Sequence, residues 1–119
     1  MGKRMIEIYG YNECPYYQNA VAHMRKEIGD KGDKNKKVVG KTTIIQNNFL
    51  MCSYTPIARG QEWQMILNCN GIDEHTSPLV LVSNKRMIGG CDDLLNTDLK
   101  KYYPKKSLKK SPGNKMKKL

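Results

Sequence analysis

The last twenty residues of the chain contain no acidic side chain, and this absence accounts for most of its charge. Residues 100–119 hold nine lysines, whereas the other 99 residues carry 12 basic and 11 acidic side chains. The formal net charge of +10 at pH 7 therefore belongs mostly to the C-terminal segment. Because the rest of the protein is close to neutral, a basic fold built to bind nucleic acid is disfavoured.

Long apolar runs and cysteines are also scarce. The longest obvious apolar run covers only residues 79–82, far short of the roughly 20 residues that a membrane-spanning helix needs. Residues 1–4 lead directly into an alternating segment, so we expect no signal peptide. Four cysteines in 119 residues are too few for a disulfide-rich scaffold. The sequence thus predicts no membrane association and a reducing, cytoplasmic environment.

A chain of 119 residues is long enough for one domain. We expect that domain at residues 1–99, followed by a Lys-rich tail at 100–119 that has few core-forming residues and is expected to be disordered. The tail could bind nucleic acid or another polyanion, or act as a nuclear address through residues 104–106. A solvated extension that keeps the protein soluble is the simpler interpretation, and we favour it.

The chain begins with a strand and a helix. Residues 5–9 are rich in β-formers and end at Gly10, which predicts a strand. Pro15 suits the first turn of a helix, because its missing N–H has no helical partner there. Apolar side chains recur at spacings of three and four over residues 16–28, so one face of this helix is expected to pack inward, with Gly29 as its stop.

The next segment is harder to assign. Residues 29–41 are charged and Gly-rich, which predicts an exposed loop. Within 42–54, residues 42–45 and 49–54 are both strand candidates, and the sequence does not decide between one strand and two. A second helix is predicted after Pro56.

The remaining elements follow from shorter patterns. The buried side of the second helix is expected to carry Trp63, Ile66 and Leu67, and the helix is expected to end near residues 70–71. Two strands and a short acidic helix then complete the domain: residues 78–83, a turn at Asn84-Lys85, residues 86–88, a break at 89–90 and a helix start at 92–95. The order β-α-β-α-β-β-α predicts a single α/β sandwich.

Cys14 is the most informative candidate for chemistry. It lies between the predicted first strand and first helix, directly before Pro15. A thiolate at this position is stabilised by free backbone N–H groups and by the helix dipole, which can lower a cysteine pKa from about 8.5 to about 3.5–7.5. The alternative is a buried, unreactive cysteine, the commoner fate of a free thiol.

Three segments together resemble the glutaredoxin family. Residues 14–17 (Cys-Pro-Tyr-Tyr) are similar to its Cys-Pro-Tyr-Cys active-site motif, and residues 76–78 (Thr-Ser-Pro) are similar to its Thr-Val-Pro, whose proline is cis. Residues 88–94 (Ile-Gly-Gly-Cys-Asp-Asp-Leu) resemble its Gly-Gly-(Cys/other)-x-Asp segment. The three occur in family order, and the resemblance covers about residues 4–99.

The resemblance implies a thioredoxin-like α/β fold with a central mixed four-stranded sheet. It also implies a glutathione-dependent thiol–disulfide oxidoreductase, whose partners are glutathione and glutathionylated proteins, and which we expect to be a monomer. Cys14 would be the nucleophile. Ser77 would pair its backbone with glutathione as an added strand does, and the N–H groups after Gly90 together with the Asp92 side chain would hold the γ-glutamyl end. The full set of implied glutathione contacts is Tyr11, Tyr16, Ser77, Pro78, Gly90, Cys91 and Asp92.

Two departures from the family pattern affect the expected mechanism. Tyr17 replaces the second motif cysteine, so the usual intramolecular disulfide cannot form and a monothiol mechanism is expected, which needs one protein thiol only. Tyr11 replaces a lysine that commonly precedes the nucleophile by three residues. Weaker thiol activation and glutathione binding would follow unless Lys3, Arg4 or Arg59 compensates. Residues 29–58 match poorly, and Arg59 and Gln61 are only guesses as glutathione contacts.

Other interpretations remain open. Some single-cysteine glutaredoxins hold a [2Fe–2S] cluster between two subunits through the motif cysteine and glutathione, which makes cluster binding an alternative function. A non-catalytic adaptor that acts through the Lys-rich tail is a further one. The remaining candidate residues have simpler explanations: Cys91 contributes its backbone, Cys52 and Cys69 fill the core, His23 is exposed, Trp63 serves packing, and no zinc site is expected from Cys52, Cys69, His75 and Cys91.

Overall fold

The centre of the protein is strand β1 (Arg4–Gly10), whose alternating apolar residues Ile6 and Ile8 are fully buried. The computed structural model describes residues 4–29, 36–82 and 86–102. In that part of the chain, one mixed sheet of six strands is covered by three α-helices. The helices are α1 (Pro15–Ile28), α2 (Gln61–Cys69) and α3 (Cys91–Leu95); the other strands are β2 (Lys37–Val39), β3 (Thr42–Gln46), β4 (Leu50–Pro56), β5 (Leu79–Val82) and β6 (Arg86–Gly89).

The strands lie in the order β2-β3-β4-β1-β5-β6. β1 runs parallel to β4, with Ile6 opposite Cys52, and antiparallel to β5, with Ile8 opposite Val80. All other neighbouring strands are antiparallel. Because β1 and β4 are parallel, their C-terminal ends lie at the same end of the sheet. Cys14 lies at that end, since it follows β1 in the chain.

The sheet has six strands, and the prediction of four is wrong. Both candidate strands between residues 42 and 54 form, and residues 37–39, predicted as loop, add an edge strand. Val39 pairs with Thr42, so Gly40 and Lys41 form a two-residue hairpin turn, in which Gly40 adopts a positive φ of 63°. The charged and Gly-rich composition of 29–41 predicted a loop. Val38 and Val39 are both β-branched, which favours the exposed edge strand that forms there.

The helices cover the two faces of the sheet separately. Tyr17, Ala20, Met24 and Ile28 of α1 pack with Leu94 of α3 on one face. Trp63 and Leu67 of α2 pack on Leu79 and Leu81 on the other face. This arrangement agrees with the predicted helix periodicities, except that Val21 and Ile66 are only partly buried.

The described chain continues past Leu95 into a short 3-10 helix, Leu99–Tyr102, that packs on the α1 face. Leu99 and Tyr102 are both buried, so the packed part of the chain reaches three residues beyond the expected boundary at 99. The turn predicted at Asn84-Lys85 and the tail from residue 103 onward lie outside the described residues. None of the helices in the described ranges is long and apolar enough to span a membrane.

Candidate functional site

Cys14 is the residue immediately before α1 and has an extended backbone, with φ −76° and ψ 121°. Its own N–H donates to the Tyr11 carbonyl at 2.9 Å, which closes the turn after β1, and Pro15 is the first helical residue as predicted. The side chain is half-buried, and its Sγ lies 3.7 Å from the Ser77 carbonyl oxygen. The thiol therefore lies at the N-terminus of a 14-residue helix and against the loop that precedes β5.

The environment of Cys14 favours its thiolate. Burial is the largest influence and alone would raise the pKa. The hydrogen bond from Ser77, those from the backbone N–H groups of Tyr17 and Tyr16, and the charge of Arg59 act in the opposite direction and together hold the pKa of Cys14 below its usual value. Most of the activation is thus supplied by hydrogen bonds, and the nearby cation makes the smallest of these contributions.

Ser77 is positioned to donate to this thiolate. The Ser77 hydroxyl oxygen accepts a hydrogen bond from the Tyr11 N–H at 3.0 Å, which leaves the hydroxyl proton free for another acceptor. As a neutral thiol, Cys14 donates to the Ser77 carbonyl at 3.7 Å, but a thiolate has no proton to give. Deprotonation therefore exchanges a weak S–H···O contact for a stronger O–H···S⁻ hydrogen bond.

A cleft of about 230 Å³ lies between the Ser77 loop and the start of α3. Cys14 is not one of its lining residues, but the Cys14 Sγ contacts the carbonyl of Ser77, which is. Six of the seven residues expected to contact glutathione line it together with Thr76 and Asp93: Tyr16, Ser77, Pro78, Gly90, Cys91 and Asp92. The Ser77–Pro78 peptide bond is cis, as the family resemblance implies. Tyr16 is 59 % exposed, so its ring is free to cover a ligand.

The α3 side of the cleft is held by Asp93. Its carboxylate accepts from the Gly90 N–H at 2.9 Å, which fixes the backbone entering the helix. Gly89 has a φ of 130°, which L-amino acids rarely adopt, and a side chain there would meet Asp93. Asp92 is exposed and lines the cleft. Cys91 is buried, and burial, then the Asp92 and Cys14 charges, raise the pKa of its thiol.

Tyr11 does not line this cleft. Its ring lies 5.1 Å from the Trp63 ring and 4.2 Å beneath the Arg59 guanidinium. Arg59 in turn donates from Nε to the Glu13 carboxylate at 2.8 Å. Arg59 is thus the cation beside Cys14, whereas Arg4 begins β1 at its opposite end, about 20 Å away at 3.3 Å per residue. Lys3 lies outside the described residues.

Tyr17 occupies the second motif position with a buried ring. The ring packs so closely on β1 that a Cβ at Gly10 would lie 2.6 Å from Tyr17 Cδ1 and 2.7 Å from Ser77 Oγ. Burial, and then the nearby Tyr54 and Cys52 groups, raise the pKa of Tyr17 to about 12. The side chain is a neutral packing element in the core beneath the site.

Several residues differ from their sequence-based predictions. Cys52 is fully buried, as predicted, but Cys69 is exposed at the end of α2, and the prediction of a buried Cys69 is wrong. His23 was expected to be exposed but is partly buried, with its Nε2 atom shielded from solvent. Trp63 is 6 % exposed and donates to the His75 carbonyl at 3.0 Å, which agrees with a packing role.

Glu13 is the residue at the site that the sequence analysis missed. Its pKa is lowered mainly by its own backbone N–H and then by Arg59, so the carboxylate stays ionised beside Cys14. Its place next to the nucleophile was a visible signal, but its pairing with Arg59, 46 residues away, required the fold. Gln61 begins α2 and is exposed. Among the described residues, no group of three or more His, Cys, Asp or Glu side chains is arranged to hold a metal ion.

The fold and the site define an α/β protein with a half-buried cysteine of lowered pKa at a helix N-terminus, in contact with a residue that lines an open cleft. Comparisons with known proteins add no family assignment. No protein-family model matches the chain, and a search of curated proteins gives no significant match.

Proposed function

We propose that the protein is a glutathione-dependent thiol–disulfide oxidoreductase of glutaredoxin type that acts by a monothiol mechanism. The observation that carries this proposal is that Cys14, whose pKa is lowered, contacts Ser77, which lines a cleft together with Pro78 and the 90–92 segment. A thiolate is the species that attacks disulfides, and a lowered pKa increases the fraction of thiolate at a given pH.

The reaction requires a single protein thiol. The Cys14 thiolate attacks the glutathione sulfur of a protein–glutathione mixed disulfide and forms a new S–S bond with glutathione. The electron pair of the broken S–S bond leaves on the target protein's sulfur, which takes up a proton. A second glutathione thiolate then attacks the glutathione sulfur bound to Cys14, which regenerates the Cys14 thiolate and yields glutathione disulfide.

The architecture is compatible with the thioredoxin-like fold that the resemblance implies. Strands β4-β1-β5-β6 form a mixed four-stranded unit with α1 and α3 on one face and α2 on the other. Strands β2 and β3 extend this unit at the β4 edge, away from β5 and the cleft. Under this proposal the hairpin is an addition to the family's sheet, and the site keeps the family's arrangement.

Arg59 is the residue that compensates for the missing lysine in this proposal. Tyr11 takes the lysine's place in sequence but holds a cation above its ring at 4.2 Å, a geometry in which the ring quadrupole attracts the guanidinium. Arg59 thereby favours the Cys14 thiolate and offers a partner for a carboxylate of the substrate. A family function that usually belongs to one residue is divided between Tyr11 and Arg59.

The decisive experiment measures glutathione-dependent reduction of a mixed disulfide between glutathione and a cysteine-containing peptide. The wild-type protein should reduce it, the Cys14→Ser variant should be inactive, and Cys69→Ser should behave as wild type because Cys69 is exposed at the far end of α2. Equal activity of wild type and Cys14→Ser would refute the proposal.

The cluster-binding alternative is tested separately. An anaerobic preparation with glutathione should show visible iron–sulfur absorbance if a [2Fe–2S] cluster is bound through Cys14, and a colourless monomer would contradict it. The alternative of an adaptor that binds polyanions through its Lys-rich tail is tested with a chain that ends after Tyr102, since Tyr102 is buried and belongs to the folded part. Unchanged polyanion binding by this shorter chain would contradict it.

A further inference from the structure

Glu13, the residue before Cys14, forms an exposed ion pair with Arg59, whose charge acts on the Cys14 thiol. The Glu13 carboxylate accepts from Arg59 Nε at 2.8 Å, and the two side chains remain 64 % and 65 % exposed. Arg59 is additionally held by the Tyr11 ring, so its position does not depend on Glu13 alone. The guanidinium therefore has two partners, the Tyr11 ring and the Glu13 carboxylate.

The recess around this pair is electrostatically neutralised. Asn12, Glu13, Lys41 and Arg59 line an open recess of about 290 Å³. Lys41 is also paired, with Glu62 at 2.9 Å. An anionic group that enters the recess therefore finds each cation already bound to an acid of the protein. Exposed ion pairs of this kind are weak, so another carboxylate can replace Glu13 at Arg59. The displaced Glu13 carboxylate is then solvated, because its side chain is exposed.

We propose that Glu13 is an internal competitor that occupies Arg59, so that a thiol or disulfide substrate with a carboxylate near its sulfur must displace it to bind. This inference rests on the proposed function, which it deepens: the pair tunes selectivity for anionic over neutral substrates. Because Glu13 directly precedes Cys14, the displaced acid and the incoming carboxylate exchange places next to the reacting sulfur.

The first test does not depend on enzymatic turnover. Cys14 is alkylated with iodoacetate, which is anionic, and with iodoacetamide, which is neutral, and the ratio of the two rates is measured at one pH, where the thiolate fraction cancels. Glu13→Gln should raise the iodoacetate-to-iodoacetamide ratio about two- to fivefold, the range expected for one exposed ion pair. Glu27→Gln, which removes an exposed acid from the far end of α1, is the matched control and should leave the ratio unchanged.

The Arg59→Gln background separates competition from a general charge effect. If Glu13 acts by occupying Arg59, then Glu13→Gln should not raise the ratio once Arg59 is absent. An equal rise in both backgrounds would show that Glu13 merely repels anions, and no rise in either would show that the pair is irrelevant. Both results overturn the inference.

A second test uses the proposed reaction. The KM for a glutathionylated peptide should be about two- to fivefold lower in Glu13→Gln than in the wild type. With a substrate whose glutathione carries a carboxamide in place of the glycine carboxylate, the KM values of the two proteins should be equal. A higher KM in Glu13→Gln would mean that Glu13 positions Arg59, which would overturn the inference. If Cys14→Ser is as active as wild type while the alkylation ratios behave as expected, the proposed function fails and the competition stands.

Discussion

Replacement of Ser77 by alanine should make Cys14 less reactive. The Ser77 hydroxyl accepts a hydrogen bond from the Tyr11 N–H, and its proton is free to bond the Cys14 thiolate. The variant removes this hydroxyl and keeps the main-chain groups of residue 77. Since this hydroxyl stabilises only the charged form of the sulfur, its loss should raise the pKa of Cys14.

The size of the effect follows from the strength of such hydrogen bonds. A hydrogen bond to a charged group contributes about 1.5–3 kcal/mol to stability. Cys14 is half-buried and solvent can replace part of the lost donor, so we expect less than this range, about 1–1.5 kcal/mol. That free energy corresponds to about five- to thirteenfold less thiolate at a pH below the pKa.

The assay is iodoacetamide alkylation of Cys14 as a function of pH, followed by peptide mass spectrometry. Exposed Cys69 in the same sample provides an internal reference for reagent concentration. Ser77→Thr keeps the hydroxyl and should stay close to wild type, and thermal unfolding of both variants checks that the loop survives the loss of the Tyr11 hydrogen bond. An unchanged alkylation profile in Ser77→Ala would refute the assignment and leave the backbone N–H groups as the source of activation.

Three further predictions concern stability. Gly10→Ala should lower the free energy of unfolding by about 1–3 kcal/mol, because its Cβ would overlap Tyr17 and the Ser77 hydroxyl, and an unchanged melting temperature would contradict this. Burial raises the pKa of Cys52, so above pH about 8.5 the unfolded chain releases a proton that the folded chain keeps. The free energy of unfolding should therefore fall by up to about 1.4 kcal/mol per pH unit because of this thiol. Cys52→Val should reduce that slope in urea titrations at several pH values. A chain ending at residue 98 should be about 3 kcal/mol less stable than one ending at Tyr102, since it loses two buried side chains, and equal urea midpoints would contradict the packing of the 3-10 helix.

Elements with a strong local signal could be predicted from the sequence. The boundaries of α1 follow from Pro15 at one end and Gly29 at the other, and Trp63 with Leu67 marks the buried side of α2. The helical periodicity of α2 also explains why Cys69 is exposed. It lies two positions after Leu67, and two residues turn an α-helix by about 200°, so the side chain faces away from the sheet.

Features that depend on distant parts of the chain could not be predicted in the same way. The sequence alone placed six cleft residues in three separated motifs, which the structure brings together. It could not show that the Tyr11 ring turns towards Trp63 and Arg59, because that contact depends on where α2 packs on the sheet. The β2–β3 hairpin was missed for the opposite reason, since its local signal was obscured by charged residues.

Thiol activation and anion selection at this site should respond differently to salt. Hydrogen bonds from Ser77 and from the helix N-terminus lower the pKa of Cys14 more than the charge of Arg59 does. Short hydrogen bonds are hardly screened, whereas exposed charges are, because the Debye length shrinks from about 30 Å at 0.01 M to about 3 Å at 1 M salt. The pH profile of iodoacetamide alkylation should therefore change little between about 0.02 and 0.5 M salt. The ratio of the iodoacetate rate to the iodoacetamide rate should change with salt at low concentration and level off at high concentration, where Arg59 is screened. A profile that moves strongly with salt would mean that the cation is the principal source of activation, and Tyr11, which holds it, would then be as important to the nucleophile as Ser77.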